Sequence, residues 1–93
     1  MYVVALRVEL EITDGLTLKD KRQVIRSLLD RIRGRFNVSA AEVGRQDSVR
    51  YASIAVVAVA NEGAFVDSMM SKVGDLIEGE PRVAVVSREM EFL

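Results

Sequence analysis

The sequence predicts an α+β fold of six elements in the order βαββαβ, a four-stranded antiparallel sheet carrying two helices on one face. Three observations predict it. Apolar and polar side chains alternate along the first dozen residues, as in a half-buried strand. Two longer segments repeat their apolar residues at the helical period. The run Ala52 to Ala60 holds no charge at all, as a strand buried on both faces requires.

Tyr2 to Ile12 is the first strand, with Val4, Leu6, Val8, Leu10 and Ile12 on one face and Val3, Ala5, Arg7, Glu9 and Glu11 on the other. Asp14-Gly15 breaks it. Thr17 then serves as N-cap of a helix from Leu18 to about Gly34, with Asp20 at N3 in a capping-box-like pattern. At 100° per residue, Leu18, Val24, Ile25, Leu28, Leu29 and Ile32 share an arc of about 140°, the stripe of a helix lying on a sheet. Phe36 to Val43 reads as the second strand and Val49 to Ala60 as the third, with Gly44 and a polar turn between them. Asn61-Glu62-Gly63 opens a second helix with Phe65, Val66, Met69, Met70, Val73, Leu76 and Ile77 on one face and Asp67, Ser71, Asp75 and Glu78 on the other, ending at Gly79 to Pro81; Arg82 to Phe92 is the last strand. Right-handed crossovers then dictate the spatial order 4-1-3-2 of a ferredoxin-like sandwich. Residues 1–93 are read as a single domain, with no linker or low-complexity segment.

The totals exclude several kinds of chemistry. The 93 residues carry no cysteine and no histidine, which removes disulfides, thiolate nucleophiles, and the commonest general base and metal ligand. No glycine-rich phosphate loop is present, and no serine has a recognisable base partner. No enzyme activity, cofactor or metal is expected. The longest apolar run is far short of the roughly 20 residues that span a bilayer, and the N-terminus lacks the basic-then-apolar pattern of an export signal. A cytoplasmic protein with no membrane partner is therefore expected.

The net charge of −1 hides an uneven distribution. Residues 1–50 carry ten basic and seven acidic side chains, residues 51–93 three and seven, and Lys19 to Arg35 alone holds seven bases against two acids. An anionic partner should prefer that segment.

Leu16-Thr-Leu-Lys-Asp-Lys-Arg22, Arg35-Phe-Asn-Val-Ser-Ala-Ala-Glu-Val-Gly-Arg-Gln-Asp47 and the aliphatic third strand together resemble the YlxP-like family of small bacterial proteins of unknown function. The resemblance covers nearly the full length; Thr17, Asp20 and Ala40 stand where the family pattern has Ser, Glu and Val. It implies a ferredoxin-like fold without an agreed activity. Family members often sit in a gene cluster with translation and ribosome-maturation factors, which implies RNA or ribosome association by analogy.

The predicted topology gathers the start of the first helix and the turn between the second and third strands at one edge of the sheet. Lys19, Lys21, Arg22, Arg45, Gln46, Asp47 and Arg50 become candidate anion- or RNA-binding neighbours. Lys19 and Lys21 also occupy a first helical turn, where the dipole disfavours cations. The plainer alternative is that Asp20, Asp47, Glu78 and Glu80 neutralise this edge in solvated ion pairs. Lys19, Arg22, Arg26 and Arg33 further align on one flank of the helix and could track a nucleic-acid backbone. Asp30 interrupts that stripe, so a solvated flank is the alternative.

The sheet face opposite the helices receives Val3 and Ala5, with either Ile54, Val56 and Ala58 or Ala55, Val57 and Val59 from the third strand. An exposed aliphatic patch of this kind marks an interface, and a homodimer stacked through Val3, Ala5, Ala55, Val57 and Val59 is expected; edge-strand contact is the competitor. The carboxylates Glu9, Glu11, Glu89 and Glu91 read as cross-strand charge pairs, with Arg7 meeting Glu89. The functional expectation is a non-enzymatic binding module contacting RNA or the ribosome through its basic edge; the alternative is a protein-interaction or small-anion regulatory module acting as a homodimer.

Overall fold

The computed structural model describes residues 1–15 and 17–93; Leu16, first residue of the family-like motif, lies outside the described residues. Its elements are β1 (Tyr2–Ile12), α1 (Leu18–Arg35), β2 (Ser39–Gly44), β3 (Tyr51–Ala60), α2 (Gly63–Glu78) and β4 (Val83–Phe92). The sheet order is β2-β3-β1-β4 with every neighbouring pair antiparallel, the expected 4-1-3-2 arrangement.

The β1–β3 register sets the two faces. Val4 pairs with Ala58, Leu6 with Val56, Val8 with Ile54 and Leu10 with Ala52, and all eight are buried. Onto this face α1 brings Val24, Ile25, Leu28 and Ile32 and α2 brings Val66, Met70, Val73 and Ile77. Burying a side chain of this size is worth roughly 1.5–3 kcal/mol. The other face pairs Val3 with Val59, Ala5 with Val57, Arg7 with Ala55, Glu9 with Ser53 and Glu11 with Tyr51, and no helix covers it. Of the two alternatives for β3, Ala55, Val57 and Val59 thus face outward, while Ile54, Val56 and Ala58 lie in the core. The uncharged run of β3 is therefore not buried on both faces as expected: Val59 is 60% exposed.

Four boundaries differ from expectation. Gly34 lies inside α1 rather than ending it, and Phe36 is the C-cap, its N–H donating to Ile32 O at 3.0 Å. Phe36 and Val38 are apolar because they pack against the core, so β2 begins only at Ser39. Val49 and Arg50 belong to a turn in which the Ser48 hydroxyl accepts from the N–H groups of Arg50 and Tyr51 at 3.3 and 3.0 Å. Arg82 precedes β4 because its N–H donates to Glu80 Oε2 at 3.0 Å. At its start α1 follows the sequence reading, with the Thr17–Asp20 capping box formed in both directions.

Glu80, whose side chain is 3% exposed, locks the α2–β4 connection to α1. Arg82 donates Nη2 to its Oε1 at 2.7 Å and Nε to its Oε2 at 3.0 Å, and Arg31 Nη1 reaches Oε1 at 2.8 Å. The Arg82 hydrogen bonds, joined by the charges of Arg82 and Arg31 and opposed by burial, hold the Glu80 carboxyl down at about 2. A carboxyl with a depressed folded-state pKa stabilises the fold above its ordinary value of 4.5, and that stabilisation is lost as pH falls toward 2. Its full extent is on the order of 3 kcal/mol. Thermal unfolding followed between pH 7 and pH 2.5 should show a steep fall in Tm below pH 4.5, and Glu80→Gln should flatten that fall while lowering Tm at pH 7.

Candidate functional site

The two motif segments meet where the sequence places them, but the meeting point is a structural clamp. Lys21 lies at the centre of the apolar arc of α1 and is 1% exposed. Its ammonium donates to Arg45 O at 2.5 Å and stands 3.1 Å from Glu42 Oε2 on β2. That buried oxygen accepts no directed hydrogen bond from the described residues, and its contact with Lys21 is Coulombic. Arg45 adopts φ +60°, a conformation that costs a side-chain-bearing residue about 1 kcal/mol, and Lys21 holds the carbonyl of this strained turn. Lys21 is thus corrected from an anion ligand to an internal strut. At the N-terminus of α1 the capping box takes up two of the helix-end amides, the Asp20 carboxylate accepting from Thr17 N–H and the Thr17 hydroxyl from Asp20 N–H.

The remaining candidates divide into two groups on opposite layers. On α1, Lys19, Arg22 and Arg26 are exposed, and none forms an ion pair with a carboxylate among the described residues. Arg22 and Arg26 border a shallow groove with Arg33, floored by Ile25 and Leu29 and closed by Glu42 of β2. Arg33 is partly committed: it contacts Asp30 at 3.4 Å and donates to Ala40 O on β2 at 2.5 Å. Lys19 to Arg33 spans about 21 Å at 1.5 Å per residue.

The second group surrounds the β2–β3 turn on the uncovered face. Arg45 lies over the Tyr51 ring at 5.1 Å and Arg50 near it at 5.9 Å. Arg50 Nε also pairs with Glu11 at 2.6 Å, and that carboxylate raises the Arg50 pKa. Gln46 reaches only to 3.5 Å of Glu42 O, and Asp47 is exposed without an ion pair among the described residues. A depression lined by Arg7, Glu9, Gly44, Arg45, Ser53 and Val86 separates this corner from the aliphatic patch. There Glu9 accepts from the buried Ser53 hydroxyl and from Arg7 Nε, the latter at 3.1 Å. These bonds, Ser53 foremost, hold its carboxyl below the usual range against the cost of burial. Arg7 lies in register with Glu89, yet its ion pair is with Glu9 rather than the expected Glu89.

Of the acids expected to neutralise the edge in solvated pairs, Glu80 is buried with Arg31 and Arg82, and Glu78 pairs with Arg88 at 2.8 Å. Arg88 lies across α2 and also donates to Ser71 O at 2.9 Å; any side chain at Gly74 would collide with its guanidinium. Sequence reasoning missed Arg31, Arg82, Ser53 and Glu42. Ser53 carries a legible signal, as the one polar side chain between Ala52 and Ala60 in an otherwise aliphatic run. Among the described residues no group of three or more acidic side chains is placed to hold a metal ion, and no helix is long and apolar enough to cross a membrane.

A family model described as "Protein of unknown function (DUF503)" matches residues 3–90. The uncharacterized protein YlxP of Bacillus subtilis (strain 168) is 32% identical over 72 residues, 77% of this chain and 78% of that protein. Among solved structures, a de novo designed protein with ferredoxin fold is similar with a TM-score of 0.60 at 12% identity, over 98% of this chain and 86% of that one. The structural-genomics protein YJCS is similar with a TM-score of 0.54 at 13% identity, over 96% of each chain. At such identities these structures show the fold alone.

The strut has a direct test. Lys21→Ala leaves Glu42 and Arg45 O without their partner and should destabilise the protein by about 2–4 kcal/mol, read as a drop in Tm on the order of 10–20 °C. Lys21→Met, which keeps the stem packed, should lose less.

Proposed function

The chain belongs to the DUF503 family of proteins of unknown function, and we propose that it is a non-catalytic binding module that takes RNA along the basic flank of α1. One observation carries this reading: Lys19, Arg22 and Arg26 stand exposed on one flank without ion pairs among the described residues, although the chain has more acidic than basic side chains. Like charges four residues apart on a helix cost a few tenths of a kcal/mol, and an unneutralised repulsion of this kind marks a surface kept for an anion. The spacing along the helix fits successive backbone phosphates. RNA is favoured over other polyanions by the family resemblance, through the translation genes near which its members sit.

Recognition on this surface is of backbone rather than bases. Base-stacking modules present aromatic side chains on their central strands; here the uncovered face offers Tyr51, already flanked by Arg45 and Arg50. Affinity should accordingly be modest, salt-sensitive and weakly dependent on sequence.

Fluorescence anisotropy with a single-stranded RNA oligonucleotide checks this. Three phosphate contacts give a slope of log K against log salt of about −2. Arg22→Glu with Arg26→Glu should weaken binding at least tenfold, flatten the slope by about 1.4, and leave Tm nearly unchanged. Absence of binding by the wild type, or retention by the double variant, removes the proposal.

A further inference from the structure

We infer that the uncovered sheet face is the interface of a homodimer, two copies stacking sheet on sheet with their strands crossing at about 90°. The interior of the patch is aliphatic: Val3, Ala5, Ala55 and Val57 are partly exposed and Val59 is 60% exposed. Val86 of β4, 63% exposed, lies outside this patch, across Arg7 and Glu9 from it, where the strand bulges and leaves it without a β1 partner between Val85 and Ser87. Contiguous aliphatic surface on a central strand pair is what an interface buries.

Charge identifies the occupant as a second copy. Arg45 stands at one corner of the face, level with Glu9 and Ser53 through Gly44, and forms no ion pair among the described residues. Glu89 and Glu91 stand on β4, level with Arg7 and Ala5; both are exposed and also without ion pairs among the described residues. The two corners are diagonal, separated at Glu91 by about 13 Å along the strands and by three strand spacings, about 14 Å, across them at ordinary strand dimensions. A two-fold axis between the sheets along the other diagonal lays the basic corner of each copy on the acidic corner of its partner, twice over. That axis, at about 45° to the strands, is what turns one sheet by about 90° against the other. An isologous contact of this kind needs a patch complementary to itself, and this face is one. Arg45 also keeps a long side chain at φ +60°, where glycine or asparagine would cost less. Such a retained cost is expected where the side chain has a partner.

The face lies on the layer opposite α1, so a dimer presents two basic flanks outward, and the two proposals stand or fall separately. Sedimentation velocity at micromolar concentration should give the wild type twice the chain mass of 10.3 kDa. Val57→Asp, Arg45→Glu, and Glu89→Arg with Glu91→Arg should each weaken the dimer at least about tenfold, with circular dichroism confirming a cooperative unfolding transition. If Val57→Asp does not fold, the more exposed Val59→Asp takes its place. The decisive arm is a mixture: Arg45→Glu chains and Glu89→Arg/Glu91→Arg chains, each monomeric alone, should pair with each other. A monomeric wild type, or charge-reversed chains that remain dimeric alone, overturns the inference.

Discussion

The register between β1 and β3 is the constraint on which everything else rests. Side chains alternate across a strand, so a slip of one residue would exchange every inward position for an outward one. The observed pairing, Leu6 opposite Val56 and Val8 opposite Ile54, assembles the aliphatic core from two strands that each alternate between faces. The same pairing sets Glu9 opposite Ser53 and Glu11 opposite Tyr51, and so decides which polar groups meet outside. Core formation and surface chemistry are two results of one pairing, and neither can be altered by a shift in register without losing the other.

Two polar clamps then fix the layers relative to one another. Lys21 ties α1 to the β2–β3 turn, and Arg31 ties it through Glu80 to the start of β4. Both clamps sit at the end of the sheet where β1 finishes. A buried charge is costly unless paired, so each clamp holds only when helix and loop are both in place. This fixes α1 against the sheet at two points.

Much of this was legible in the residues. The alternation of β1, the capping box at Thr17 and Asp20, and the arc of α1 each pointed to one local structure, and the topology followed from their order. The location of the two motif segments was legible; the role of their central lysine was not. By charge Lys21 belongs with the exposed cations, although at 100° per residue it falls between Val24 and Ile25 in the apolar arc. Position on the helix outweighed residue type. Phe36 and Val38 misled in the opposite sense, being apolar for packing rather than for pairing. The uncovered face is legible, but which residues of β3 line it is not, because small aliphatic side chains serve a core and an interface equally well and the absence of charge in β3 does not distinguish them.

The edges of the sheet bear on how the molecule behaves when crowded. On β2, Arg33 occupies the carbonyl of Ala40, Gln46 approaches that of Glu42 and a bulge falls at Val43; on β4, the bulge at Val86 and the charges of Arg88, Glu89 and Glu91 interrupt the outer margin. Neither margin offers the long, regular row of free peptide groups that templates strand addition. Growth by sheet extension, the route to fibrils, is thereby discouraged.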